Sequence, residues 1–147
     1  MTTEPASAAE EPRAVQLVCV DPARVHEIWP HVAPLIGRAI LNGGFGDCAA
    51  LERDLLGRRA LLWLAWDGEE ILAALVTEIA LFHGLKVCTI AACGGHGVVR
   101  IRHLVDEIER YARAERCSRI RVYGRRGWAR VLSDYVLEGV VIAKELI

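Results

Sequence analysis

The sequence predicts an α/β (α+β) domain with a mixed, mostly antiparallel central sheet of about six strands flanked by about four helices. Three observations carry this. Short apolar or β-branched runs are interspersed with stretches of helical period. Two apolar runs meet across Asp67-Gly68, a strong hairpin signal because a type I′ turn wants positive φ at both central residues. And a buried strand over 87–93 empties through Gly94-Gly95-His96-Gly97 into a long amphipathic helix, whose right-handed crossover makes the strands on either side of it parallel.

In chain order, residues 1–12 combine Thr, Glu, Pro, Ser and Ala with almost no large apolar side chains and read as a disordered tail; residues 13–147 read as one domain. Residues 13–20 form the first strand, ending at Asp21-Pro22, where Asp caps and Pro opens a helix. That helix carries Val25, Ile28, Trp29, Val32, Leu35, Ile36 and Ile40 at helical spacing, and Pro30 and Pro34 predict that it is kinked or split. After the loop 42–46, Asp47 caps a second helix with Leu51, Leu55 and Leu56 as its stripe and Gly57 as its stop. Runs 60–66, 71–79 and 87–93 make a three-stranded meander. The helix over 98–115 buries Ile101, Leu104, Val105, Ile108, Tyr111 and Ala112, with Glu109 among the polar residues of its other face. Strand 118–123, a short helix over 128–135 and a closing strand over 136–147, bent at Gly139, complete the order.

Composition narrows the function classes. The 147 residues carry a net charge of −1, which gives no general argument for nucleic acid or an anionic membrane. No uncharged run approaches a membrane span, and the acidic, polar start does not resemble a secretory signal, so the expected location is cytoplasmic. Five cysteines without a CxxC pair read as buried thiols. A hydrophobic share of 53% and a mean hydropathy of +0.26 are compatible with apolar surface covered in a homodimer.

The junction at 94–97 is the main candidate site. A strand leaving through glycines into a helix N-terminus presents unpaired N–H donors and the positive end of the helix dipole, a ready anion site; the plainer reading is a tight connection without a ligand. His96 reads as a solvated loop residue or a ligand contact. Glu78 shares a strand face with Leu72, Ala74 and Val76, so its carboxylate is either a desolvated base or a strand-end group reaching solvent or an arginine. Cys93 reads as a core or lining residue, a nucleophile lacking a His or Asp partner. A zinc reading of His83, Cys88, Cys93 and His96 fits no ligand spacing, and no metal is expected. Arg125 and Arg126 precede a helix start, where an anion would offset their charge, or they are simply solvated.

This order of elements, with the glycine loop inside it, resembles the GNAT superfamily of N-acetyltransferases, and Gly124-Arg125-Arg126-Gly127-Trp128 resembles small phage-associated members. In that family an Arg/Gln-x-x-Gly-x-Gly/Ala loop holds the pyrophosphate of coenzyme A. Here Gly95 and Gly97 match the small positions, and Ala92 stands where the family has Arg or Gln. The resemblance implies an acetyl-CoA (or related acyl-CoA) site formed by Ala91, Ala92, Cys93, Gly94, Gly95, His96, Gly97, Val98 and Arg125. It also implies direct transfer to an amine of a small molecule or protein, with Glu78 or water taking the amine proton and Tyr135 protonating the thiolate. The competing expectation is a non-catalytic adaptor or assembly protein with the same fold, the phage-associated resemblance being one context for it, consistent with Ala92 and with Tyr135 being merely packed.

Overall fold

The computed structural model describes residues 14–43, 46–95 and 101–146. Five strands form one sheet in the order β1-β2-β3-β4-β5: β1 (Gln16–Cys19), β2 (Ala60–Trp66), β3 (Ile71–Phe82), β4 (Leu85–Gly95) and β5 (Arg119–Val122). The first four pair antiparallel and β4 pairs parallel with β5, as the crossover rule requires. The helices are α1 (Val25–Leu41), preceded by a 3-10 turn at Pro22–Arg24, then α2 (Cys48–Leu56), α3 (Ile101–Ala114) and α4 (Trp128–Val131). Asp21 and Asp47 cap as expected, their carboxylates accepting from the N–H groups of Ala23 and Ala49.

Three expectations are corrected. Helix α1 is a single helix through Pro30 and Pro34. Both prolines, and the residues His26 and Pro30 whose carbonyls lose a donor to them, are exposed, so the freed acceptors are on the solvent side of the helix. The link at Asp67 is a four-residue loop: the Asp67 carboxylate accepts from the N–H groups of Glu69 and Glu70, both at 2.8 Å, and only Gly68 has positive φ. The two-residue turn with positive φ at both positions is His83-Gly84 (50° and 79°), between the paired Phe82 and Leu85. Finally, residues 136–146 form no strand, so the described sheet has five strands rather than six.

The sheet separates two cores. On one face α1 and α2 bury Trp29, Val32, Ile36 and Leu55 against Leu62, Ala74 and Val76. On the other, α3 buries Leu104, Val105, Ile108 and Ala112 against Leu75, Cys88 and Ile90, with Leu132 and the flanking Trp128 and Tyr135 beside them. Trp63 belongs to this second face, donating its indole N–H to Thr77 Oγ1 at 2.9 Å and stacking edge-on with Tyr111 at 4.9 Å. Among the described residues no helix is long and apolar enough to cross a membrane.

Helix α1 approaches β4 closely enough to dictate residue type. A Cβ at Gly94 would sit 2.1 Å from the Leu35 carbonyl oxygen and 3.3 Å from Ala39 Cβ, and one at Gly95 would sit 2.6 Å from Ala73 Cβ. Gly94→Ala is therefore expected to cost about 2–3 kcal/mol or more. Gly127→Ala, where nothing lies within 4 Å, should stay within about 0.5 kcal/mol of wild type. Urea unfolding of both variants checks the pair.

Candidate functional site

The site is built by β4 losing one of its two partners. From Val87 to Ile90 the strand pairs with Arg119 to Val122 of β5, and Tyr123 N–H donates to Ile90 O at 3.0 Å. Immediately beyond, the register against β3 slips by one residue: Thr77 faces Ile90 and Val76 faces Ala92, leaving Ala91 as a bulge. The bulge turns the side chains of both Ala91 and Ala92 into the α1–α2 core. Residues 92–95 continue along β3, while on the β5 side that stretch has no strand partner among the described residues. The result is an opening between the ends of β4 and β5, bordered by an unpaired backbone edge.

Helix α1 and Arg125 mark the far side of this opening. Gly94 rests against Leu35 and Ala39, and a Cβ at Gly43 (φ +120°) would sit 3.3 Å from Arg125 Cγ and 3.5 Å from its Cα. Helix α1 thus packs on the end of β4, and Gly43, just past the helix, faces Arg125. The positive guanidinium-bearing segment lies near the negative end of the helix dipole. Cys93 faces the α3 core, where burial pushes its thiol up to about 12. His96, Gly97 and Val98 lie outside the described residues.

Ala92 now has a physical explanation. It is 2% exposed beneath α1, where no arginine or glutamine could extend. Gly94 and Gly95 serve the close packing of β4 against α1 and β3, a role that the phosphate reading of these glycines did not include.

Glu78 lies within β3, not at its end, since the strand continues to Phe82. It faces the α1–α2 side, as alternation predicts, in a recess of about 590 Å³ shared with Asp54, Arg58, Arg59 and Ala60. Burial, and secondarily the negative charge of Asp54, hold its carboxyl above the usual range. Arg59 is 3.2 Å from Asp54, so that arginine is engaged with the neighbour.

Tyr135 lies on the other face of the sheet, past the end of α4, half-buried against the α3 core. Its hydroxyl donates to Glu109 Oε1 at 2.6 Å. Burial and this bond push its pKa well above the ordinary tyrosine value. Tyr135 and Arg125 line one groove of about 920 Å³ along β5, together with Tyr123, Trp128 and Glu138. The structure therefore groups Ala91–Gly95 with Arg125 around the end of α1 and Arg125 with Tyr135 along the groove. Glu78 stands apart from both. Sequence reading missed Glu109, assigned to the polar face of its helix; it is only 14% exposed, and its partner lies 26 residues away, beyond the reach of any local signal.

No protein-family model matches the sequence, and no curated protein matches it. Solved structures do. A GNAT family acetyltransferase from Staphylococcus aureus subsp. aureus USA300_TCH1516 superposes with a TM-score of 0.61 at 13% identity, covering 90% of this chain and 99% of the other. A predicted acetyltransferase from Clostridium acetobutylicum, solved with acetyl-CoA, gives 0.63 at 12% identity over 91% and 96%. An aminoglycoside acetyltransferase from an uncultured soil metagenomic sample, in complex with sisomicin, gives 0.66 at 11% identity over 90% and 96%. The fold is GNAT-like.

The raised Glu78 carboxyl has a consequence for stability. A carboxyl whose folded pKa exceeds its unfolded value binds its proton more tightly when folded, so its contribution is most favourable at acid pH and is lost as pH rises through the folded value. Glu78→Gln should raise the melting temperature at neutral pH. The difference should shrink as pH falls toward the ordinary carboxylate range near about 4. Melting curves of both proteins across that interval test it.

Proposed function

We propose that this chain, with its GNAT-like fold, is an acyl-CoA-dependent N-acyltransferase, most simply an acetyltransferase, acting on an amine by direct transfer. The observation that supports it best is the parting of β4 from β5 beyond the bulge at Ala91, which leaves a backbone edge without a strand partner among the described residues between two parallel strands. A thioester arm carrying amide groups has the donors and acceptors such an edge lacks. Arg125 supplies positive charge for the phosphates of the coenzyme, and His96, Gly97 and Val98 complete the proposed loop.

In the transfer, the amine nitrogen attacks the thioester carbonyl, the C–N bond forms, the C–S bond breaks, and coenzyme A leaves as a thiolate that takes up a proton. The proton lost by the amine goes to water, or through water to Glu78, which stands apart from the opening and whose carboxyl burial and Asp54 hold above the usual carboxylate range. Tyr135 enters this reading as a positioning residue: its hydroxyl already donates its hydrogen bond to Glu109, and its raised pKa makes it a reluctant proton donor to the thiolate. Acceptors within the proposal are small amines, including aminoglycosides, and protein amines.

The same two observations, Ala92 beneath α1 and the engaged Tyr135 hydroxyl, favour a second reading in which the fold serves as a non-catalytic adaptor. Calorimetry with acetyl-CoA, followed by a thiol-release assay against a panel of amines, separates the two. Binding with turnover is the expected outcome, and no heat at millimolar acetyl-CoA overturns the enzyme reading. Arg125→Glu should weaken binding by at least about tenfold, the value of one charge-assisted contact.

A further inference from the structure

Alternation along β5 puts two arginines on the face of the sheet that Glu78 also occupies. Ile120 and Val122 pack into the α3 core, so Arg119 and Arg121 project from the opposite side. Pairing then aligns one polar row across three strands: Glu78 of β3 faces Thr89 of β4, and Thr89 faces Arg121 of β5. The row lies just before the opening, because Ile90 and Val122 are the last pair in the β4–β5 ladder. At a strand rise of about 3.3 Å per residue, both arginines stand within about 10 Å of the place where the strands part.

Arg121 is held in place before anything binds it. Its Cζ stands 4.7 Å from the centroid of the Phe82 ring, and its side chain is only 24% exposed. Both arginines reach the carboxylate of Glu138, Arg121 through Nε at 3.3 Å. Yet that Nε is buried and makes no hydrogen bond among the described residues, so Glu138 offsets the charge without satisfying the donor. Glu138 is itself half exposed, on a stretch, 136–146, that no ladder holds. Two placed guanidiniums, one orphaned donor and an ill-fitting carboxylate describe a carboxylate site with a stand-in occupant. The phosphates of the coenzyme belong to the other end of the opening, past the end of β4, where Arg125 lies. An anion held at Arg119 and Arg121 therefore belongs to the other substrate.

We infer that Arg119 and Arg121 bind a carboxylate of the acceptor, so that the amine acylated by this chain belongs to an amino-acid-like molecule. Its amine and carboxylate are joined by a chain long enough to reach from β5 to the parting of the strands. Within the acyltransfer reading, on which this assignment of the amine rests, the acceptor displaces Glu138 and gives Arg121 Nε the hydrogen bond it lacks. Its amine then lies at the opening on the face shared with Glu78, which stands across Thr89 for a proton arriving through water. A polycationic amine would meet like charge at the two arginines, and a neutral one would leave Nε unpaired. Glu138 is an internal competitor that sets how much carboxylate the site demands.

Calorimetry with ε-aminocaproate and ε-aminocaproamide, which differ only at the carboxyl end, tests the site. Wild-type protein should bind the acid at least about tenfold more tightly than the amide. Arg119→Gln/Arg121→Gln should abolish the difference while keeping the wild-type circular dichroism. Glu138→Gln, which removes the stand-in, should tighten the acid about threefold or more and leave the amide unchanged, a gain that damage to the fold would not produce. In thiol release with acetyl-CoA, the preference for the acid should appear in KM and not in kcat. No heat from the acid, equal binding of acid and amide, a preference that survives loss of both arginines, or Glu138→Gln without a gain each overturns the site. Failure of the acyltransfer reading looks different: an arginine-dependent preference for the acid with no heat from acetyl-CoA removes the enzyme and keeps the carboxylate site. Turnover of both probes at equal KM keeps the enzyme and removes the site.

Discussion

Helix α1 lies on β4 at a separation that only glycine permits at residue 94. The Leu35 carbonyl occupies the place of a side chain there, and Ala39 fills the next gap. This contact fixes the height of α1 above the sheet, and with it the space beneath the helix. It explains why the bulged pair is Ala91-Ala92 and why no long polar chain stands at either position. It also brings the last turn of α1 against the end of β4, so that the loop beginning at Asn42 and Gly43 meets Arg125 arriving from β5. The opening between β4 and β5 is thus set by a backbone-to-backbone approach, and not by the side chains that border it.

The fold was legible where local chemistry decides structure. Hydrophobic period placed all four helices and the first five strands, because amphipathic faces must match the layers they bury in. The crossover rule gave the parallel β4–β5 pair from connectivity alone. What misled were features whose outcome depends on surroundings. Asp67 was read through the glycine after it, but its carboxylate caps Glu69 and Glu70 and lengthens the loop. The prolines of α1 were read as a kink or a split, and exposure of the positions whose carbonyls they orphan lets the helix continue unsplit. Residues 136–146 have the sequence of a strand, and a strand needs an edge long enough to receive it.

The candidate site was legible in part. The glycine junction pointed to the end of β4, but not to the close approach of α1 that makes Gly94 necessary or that of β3 that makes Gly95 so. Alternation placed Glu78 on the correct face of β3, and burial with Asp54 beside it raises its carboxyl as expected for a desolvated group. No reading of one helix at a time could have linked Tyr135 to Glu109, because the pair is joined by tertiary packing across 26 residues. The bulge at Ala91 was equally silent, since an extra residue appears only when a strand is aligned with its neighbour.

The sheet acts as a partition. Trp29, Val32, Ile36 and Leu55 form one interior with α1 and α2, and Leu104, Val105, Ile108 and Leu132 form another beneath α3 and α4, with little but the backbone of β2 to β4 between them. Residues that share no neighbours respond to change independently. The α1–α2 side, where Glu78 and its recess lie, can therefore be remodelled over evolutionary time without disturbing the packing that holds α3 and the groove beside β5. A chain divided in this way can keep one half of its architecture almost fixed while the other half drifts, which offers a physical route to sequences so far apart sharing one shape.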